Sequence, residues 1–131
     1  MLVAHVELEG VWSIDGGMAR LAQRLADLAA SRGVVCGPQQ IIITNGAQAA
    51  FDILARLLTD PGEPVWMEEP GYYGAGAAFL SAGARLLPLK VSDSGWELTA
   101  PDAIPRVIFA TPSCHYPLGI TMAMEQRLNL I

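Results

Sequence analysis

The fold of this chain is decided by residues 41–68, IIITNGAQAAFDILARLLTDPGEPVWME. They begin with a β-branched run over 41–44 that is typical of a buried strand. Gly46 interrupts the run, and a helix is predicted over 47–58 because its apolar residues recur at helical spacing. That apolar face comprises Ala50, Phe51, Leu54, Leu57 and Leu58. Asp60-Pro61-Gly62 ends the helix, and a second strand is predicted over 64–68.

The flanking segments continue the same order of strands and helices. A helix is predicted over 73–82, a strand over 85–91 with Pro88 favouring an edge position or a bend, and a strand over 106–110. Residues 92–105 are irregular, and a last helix is expected from residue 121. Before residue 41, a helix is predicted over 18–31 after a turn over 13–17, and residues 2–8 alternate as in a strand. This order predicts a three-layer α/β fold with a mostly parallel sheet.

Composition excludes several classes of function. The net charge is −5, with 8 basic and 13 acidic residues, which argues against a general nucleic-acid partner because phosphate neutralisation needs a basic face. Apolar residues make up 52%, too many for a disordered chain. No apolar run approaches the length of a membrane span, and no signal peptide is recognised. With only Cys36 and Cys114, we expect reduced thiols in a cytoplasmic protein.

Three loops carry the candidate functional residues. They span 44–48, 69–73 and 111–119, and each follows a predicted strand at the edge where open α/β sheets bind ligands. In the first loop, Gly46 leads into a helix whose free amides and positive dipole end favour a phosphate, with Gln48 as a further donor. The alternative is an ordinary strand–helix turn without a ligand.

The other two loops present aromatic and imidazole side chains. Tyr72 stands where a ring can lie against a planar ligand, or where it can fill the rim of the core. His115 and Tyr116 are polar donors, although a histidine near a core is more often structural. Cys114 is not expected to pair with His115 as a nucleophile, because neighbours in an extended loop point apart.

Acid–base and metal chemistry receive no support from the carboxylates. Glu68 and Glu69 are adjacent and would diverge in a strand, so we do not assign them to one site. No metal site is predicted.

The order and spacing of the three loops resemble a known family. The run over 37–89, GPQQIIITNGAQAAFDILARLLTDPGEPVWMEEPGYYGAGAAFLSAGARLLPL, resembles the fold-type I pyridoxal-phosphate aminotransferases. It looks most like the aminotransferase-like domain of MocR-type regulators of the GntR family. The run over 111–131, TPSCHYPLGITMAMEQRLNLI, is similar to the same group's loop after the next strand. The resemblance implies the first half of that family's large domain, commonly part of a homodimer.

The resemblance also assigns contacts to the cofactor, pyridoxal phosphate. The implied cofactor-binding residues are Gly46, Ala47, Gln48, Tyr72, His115 and Tyr116. The first three match the turn whose amides hold the phosphate, and Tyr72 matches the aromatic that stacks on the pyridine ring. Tyr116 stands where typical members have an asparagine that bonds the ring hydroxyl, and His115 is expected to substitute for that donor.

No catalytic residue is expected in this chain. By resemblance, the Schiff-base lysine, the acidic partner of the pyridine nitrogen and the arginine for the substrate carboxylate all lie downstream of residue 131. Lys90 is the only lysine, and it belongs to the strand predicted over 85–91, remote from the motif that carries the family's lysine. In the intact family, amino groups pass between amino acids and 2-oxo acids.

Three hypotheses follow for the function. The chain is a truncated aminotransferase domain, a cofactor- or ligand-sensing module of a MocR-type regulator, or a folded remnant without a ligand. Residues 5–34 resemble, more weakly, carotenoid-desaturase-like flavoproteins. We therefore interpret 1–17 as an N-terminal extension, which fusion, truncation or a frame error would each explain, and 18–131 as the partial aminotransferase domain.

Overall fold

The structure, a computed structural model, describes residues 14–98 and 103–130. These residues form two compact units, divided between Ala49 and Ala50. The strand expected over 2–8, and most of the predicted N-terminal extension, lie outside the described residues. The domain boundary after residue 17 stays a prediction. None of the described helices combines the length and apolarity needed to cross a membrane.

The first unit contains one long helix, α1, over Ile14–Ser31. Its buried side chains include Leu25 and Ala29, and Gly33 ends it at φ +82° with its amide bonded to the Ala30 carbonyl. The turn predicted over 13–17 is wrong for residues 14–17, because the helix already includes them. The good helix formers that follow outweigh a cost of about 1 kcal/mol for each glycine.

The strand predicted over 41–44 is also wrong. The segment follows a short 3-10 helix, Pro38–Gln40, and pairs with no other strand in the part of the chain that the structure describes. Ile42 is 74% exposed. A β-branched run becomes a strand only where a neighbouring strand satisfies its backbone groups, and local sequence does not reveal that neighbour.

The second unit is built on a four-stranded sheet. Its strands are β1 (Pro64–Glu69), β2 (Arg85–Ser92), β3 (Gly95–Trp96) and β4 (Val107–Phe109), in the spatial order β3-β2-β1-β4. The helices are α2 (Ala47–Leu58), which begins just before the division, α3 (Tyr73–Ser81) and α4 (Met124–Leu128). β1 is parallel to β2 and β4, whereas β3 is antiparallel to β2. The predicted α/β fold with a mostly parallel sheet is confirmed.

The central strand β1 separates two apolar clusters. Val65 and Met67 pack on one face of the sheet, with Ala55 of α2 and Phe79 of α3. Trp66 packs on the opposite face, in a cluster with Leu89, Val91, Trp96 and Met122. Because side chains alternate along a strand, Glu68 shares the face of Trp66, and it is only 5% exposed. A carboxylate therefore enters the second cluster at the carboxyl end of β1.

Two of the three predicted loops meet at one edge of this sheet. Loops 69–73 and 111–119 follow the carboxyl ends of the parallel strands β1 and β4. The short strand β3 was missed in the segment expected to be irregular, because two residues are too few to show alternation. The last helix begins at Met124 instead of residue 121, and Leu57, expected on the buried face of α2, is 72% exposed.

Leu89→Ala should lower the free energy of unfolding by about 3 kcal/mol, because Leu89 is 2% exposed and its loss leaves a cavity between β2 and Trp96. Leu57→Ala is the matched control and should change that free energy by less than about 0.5 kcal/mol. Urea denaturation followed by tryptophan fluorescence measures both. Equal losses in the two variants would contradict the placement of the second cluster.

Candidate functional site

The carboxylate of Glu68 lies at the centre of the polar contacts at this sheet edge. Its Oε1 accepts hydrogen bonds from Trp96 Nε1 at 2.6 Å and from the Thr111 amide at 2.8 Å. Its Oε2 accepts a third from Thr111 Oγ1 at 2.7 Å. A buried carboxylate is tolerated only when its oxygens find donors, and these three donors meet that need.

His115 lies against the same carboxylate. It is 1% exposed, and its Nε2 is 3.7 Å from Glu68 Oε2, which is longer than a hydrogen bond. Its ring meets the Trp96 ring nearly edge-on, with centroids 5.3 Å apart. Neither ring nitrogen has a hydrogen-bond partner among the described residues. The structure thus places His115 in a buried cluster, while its predicted contact with the cofactor stays a prediction.

Tyr72 belongs to a chain of aromatic side chains at the same edge. Its ring is 5.8 Å from that of Phe51 and 6.4 Å from that of Tyr116, measured between centroids. Phe51 in turn contacts Phe109 of β4 edge-on at 5.5 Å. Tyr72 is 41% exposed and Tyr116 is 63% exposed, so part of each ring is open to a ligand. A partly exposed ring that neighbouring aromatic side chains hold in place is suited to stacking on a planar molecule.

The loop that carries His115 and Tyr116 is closed at its base. The Met122 amide donates to the Pro112 carbonyl at 2.8 Å, and the His115 amide donates to the Ile120 carbonyl at 3.0 Å. Arg127 of α4 donates from Nη2 to the Pro112 carbonyl at 2.7 Å and from Nε to the Met122 carbonyl at 3.0 Å. One guanidinium therefore holds both ends of the loop.

The predicted phosphate-binding turn lies in the first unit. Gly46 has φ +96°, and apart from its two chain neighbours no described residue has a heavy atom within 4 Å of the position that a Cβ would occupy. Ala47 is the first residue of α2, Gln48 is exposed in its first turn, and that turn holds no acidic residue. The first amides of a helix and the positive end of its dipole suit an anion there. These residues fit a phosphate group, and their use for one stays a prediction.

Glu68 is the residue that sequence reasoning passed over. The two adjacent glutamates do diverge, since Glu69 is exposed and Glu68 is buried. The available signal was the apolar run before Glu68, because a carboxylate that continues the buried face of a strand must find donors. The sequence held no comparable signal for Trp96 or Arg127 as its distant companions.

His115→Phe should change the free energy of unfolding by less than about 1 kcal/mol, because the histidine nitrogens form no hydrogen bond and Glu68 keeps its three donors. His115→Ala should cost about 2 kcal/mol or more through the cavity it leaves. Thermal and urea unfolding of both variants measure this. A large loss in His115→Phe would mean that the imidazole nitrogens do bond inside the cluster.

Comparisons with known proteins identify the family to which the chain is related. Residues 15–131 match the family described as aminotransferase class I and II. The chain is 53% identical to the probable rhizopine catabolism regulatory protein MocR of Rhizobium meliloti, over 98% of this chain and 26% of that protein. It is 36% identical to the HTH-type transcriptional regulator TauR of Rhodobacter capsulatus, over 76% of this chain and 21% of that one.

Solved structures show the same fold. The α-aminoadipate aminotransferase LysN of Thermus thermophilus, complexed with N-(5'-phosphopyridoxyl)-L-leucine, superposes with a TM-score of 0.72 at 30% identity, covering 89% of this chain and 33% of LysN. The chain spans about a quarter of the length of the curated relatives it matches. As the resemblance predicted, the chain belongs to the aminotransferase class I and II family and has the fold-type I architecture of its pyridoxal-phosphate-dependent members.

Proposed function

We propose that this chain supplies part of a pyridoxal-phosphate site, in a domain related to enzymes that transfer amino groups between amino acids and 2-oxo acids. The observation that carries the proposal is the ring of Tyr72, which is 41% exposed yet held between Phe51 and Tyr116. Support also comes from LysN, whose structure was solved with a phosphopyridoxyl conjugate. When bound, the cofactor supplies an electron sink.

Each proposed contact has its own physical basis. Gly46, Ala47 and Gln48 bind the phosphate through backbone amides at the start of α2 and the Gln48 side chain. Tyr72 lies against the pyridine ring. Tyr116, beside it, offers its hydroxyl to the ring hydroxyl of the cofactor. The burial of His115 favours a supporting position under this loop over a direct contact.

The proposed partners follow from the same family. They are an amino acid or 2-oxo acid as the small molecule and a second copy of the chain in a homodimer. No contact with nucleic acid is proposed for this chain alone, since its net charge is −5.

Tyr72→Ala should weaken the binding of pyridoxal phosphate about tenfold, because it removes the face on which the ring stacks. Absorbance and fluorescence titration of the purified chain measures the dissociation constant. Tyr73→Ala is the matched control, since Tyr73 is adjacent and 86% exposed, and it should leave that constant within about twofold. Equal weakening by both changes, or no saturable binding by the unaltered chain, would contradict the proposal.

Borohydride treatment of the chain with pyridoxal phosphate should trap no saturable adduct at Lys90. Lys90 is at the carboxyl end of β2, where its backbone lies opposite Glu69, but β2 and β4 flank β1 on opposite sides. The aromatic cluster, by contrast, contacts β4 through Phe109. Peptide mass spectrometry detects any reduced linkage, with Lys90→Ala as control. A saturable adduct at Lys90 that the control loses would contradict the prediction.

A second function is favoured by the 53% identity to MocR over almost the whole chain. In that case the same residues read a cofactor or ligand for a regulator, and another segment of the protein contacts DNA. Cofactor titration does not separate the two functions, because both need the same contacts. The coding sequence on either side does: a basic winged helix upstream favours the regulator, and a lysine-bearing aminotransferase segment without one favours the transferase.

A further inference from the structure

We propose that Glu68 is a positioning residue, which fixes the loop after β4 and so presents Tyr116 to the ligand that lies on Tyr72. The proposal rests on the proposed function for the identity of that ligand, and it deepens it by naming a buried residue on which the site depends. Glu68 does not touch the ligand.

Glu68 and Thr111 are joined by two hydrogen bonds. One carboxylate oxygen accepts from the Thr111 amide and the other accepts from its hydroxyl. Two bonds to the backbone and side chain of one residue restrict both its place and its rotation. Thr111 lies two residues beyond Phe109, the last residue of β4, so this contact sets the direction in which the loop leaves the sheet.

The carboxylate of Glu68 also supports the middle of the loop, through Trp96. Trp96 donates to Glu68 from β3, and its ring contacts the ring of His115 in the middle of the loop. The loop is thus held at Thr111 by hydrogen bonds and at His115 by packing. The next residue, Tyr116, leaves the buried cluster and reaches the ring of Tyr72.

The neighbouring residues His115 and Tyr116 differ sharply in burial. His115 is 1% exposed and Tyr116 is 63% exposed. A fixed His115 therefore leaves Tyr116 little freedom except in its own side chain. If Glu68 lost its hold on Thr111, Arg127 and the backbone bonds at the base would keep the loop closed, but they would not fix its position relative to β1 and Tyr72.

The test uses Thr111, because truncating Glu68 would leave buried donors unpaired and risks unfolding the chain. Thr111→Val removes the bond to Glu68 Oε2 and keeps the volume, whereas Thr111→Ser keeps the hydroxyl. The His115 and Gly119 amides donate to the Ile120 and His115 carbonyls within the loop. Hydrogen exchange without cofactor should show both amides exchanging about tenfold faster in Thr111→Val, and within about twofold of the unaltered chain in Thr111→Ser. Amides in α3 should be unchanged.

The second readout is the titration with pyridoxal phosphate. Thr111→Val should weaken binding by about fivefold, and Thr111→Ser should restore it. In a Tyr116→Ala background, Thr111→Val should cause no further loss, because its effect acts through Tyr116. A merely structural role would weaken binding equally in both backgrounds.

The outcomes separate the two proposals. Unchanged exchange in Thr111→Val overturns the positioning role and leaves the proposed function standing. Faster exchange with unchanged cofactor affinity, or with additive losses in the double variant, also overturns it. Absence of binding by the unaltered chain overturns the proposed function and, with it, the direction of Tyr116 toward this ligand.

Discussion

The structure of the second unit depends on one buried carboxylate and the donors that it requires. An ionised side chain removed from water costs several kcal/mol unless it is fully hydrogen-bonded. Glu68 obtains its donors from Trp96 and Thr111, which lie 28 and 43 residues further along the chain. The same bonds that satisfy the charge therefore join β3 and the loop after β4 to the central strand. Removing any of these donors would lower the free energy of unfolding, because the buried carboxylate would lose a hydrogen bond.

This constraint divides the sheet edge into two environments. Glu68, Trp96 and His115 form a buried polar cluster, whereas Tyr72 and Tyr116 present partly exposed rings. His115 and Tyr116 are sequence neighbours that belong to different environments, since His115 is 1% exposed and Tyr116 is 63% exposed. The exposed rings of Tyr72 and Tyr116 offer a planar face and hydroxyl groups to a ligand. The buried cluster of Glu68, Trp96 and His115 holds the loop in place.

Local sequence predicted those parts of the fold that depend on local pattern. The apolar spacing of α2 and the short apolar strand β1 were recognised, and the rule for parallel strand edges brought Tyr72 and Tyr116 to one side of the sheet. The strand prediction for residues 41–44 was wrong because a strand needs a neighbouring strand, and local sequence does not reveal that neighbour. For Glu68 the apolar run before it signalled burial, but local sequence does not reveal its distant donors, Trp96 and Thr111.

The chain is similar to both a regulator and an aminotransferase, and the contacts proposed above are compatible with both. A phosphate turn and a stacking ring contribute binding that does not change between ground state and transition state, so they do not by themselves accelerate a reaction. A protein that reads a cofactor and one that reacts through it both need that binding. The contacts proposed for Gly46 and Tyr72 would therefore be needed equally in an enzyme and in a sensor. The groups that separate the two functions are those that move protons or form bonds, and none of the residues proposed here is assigned such a role.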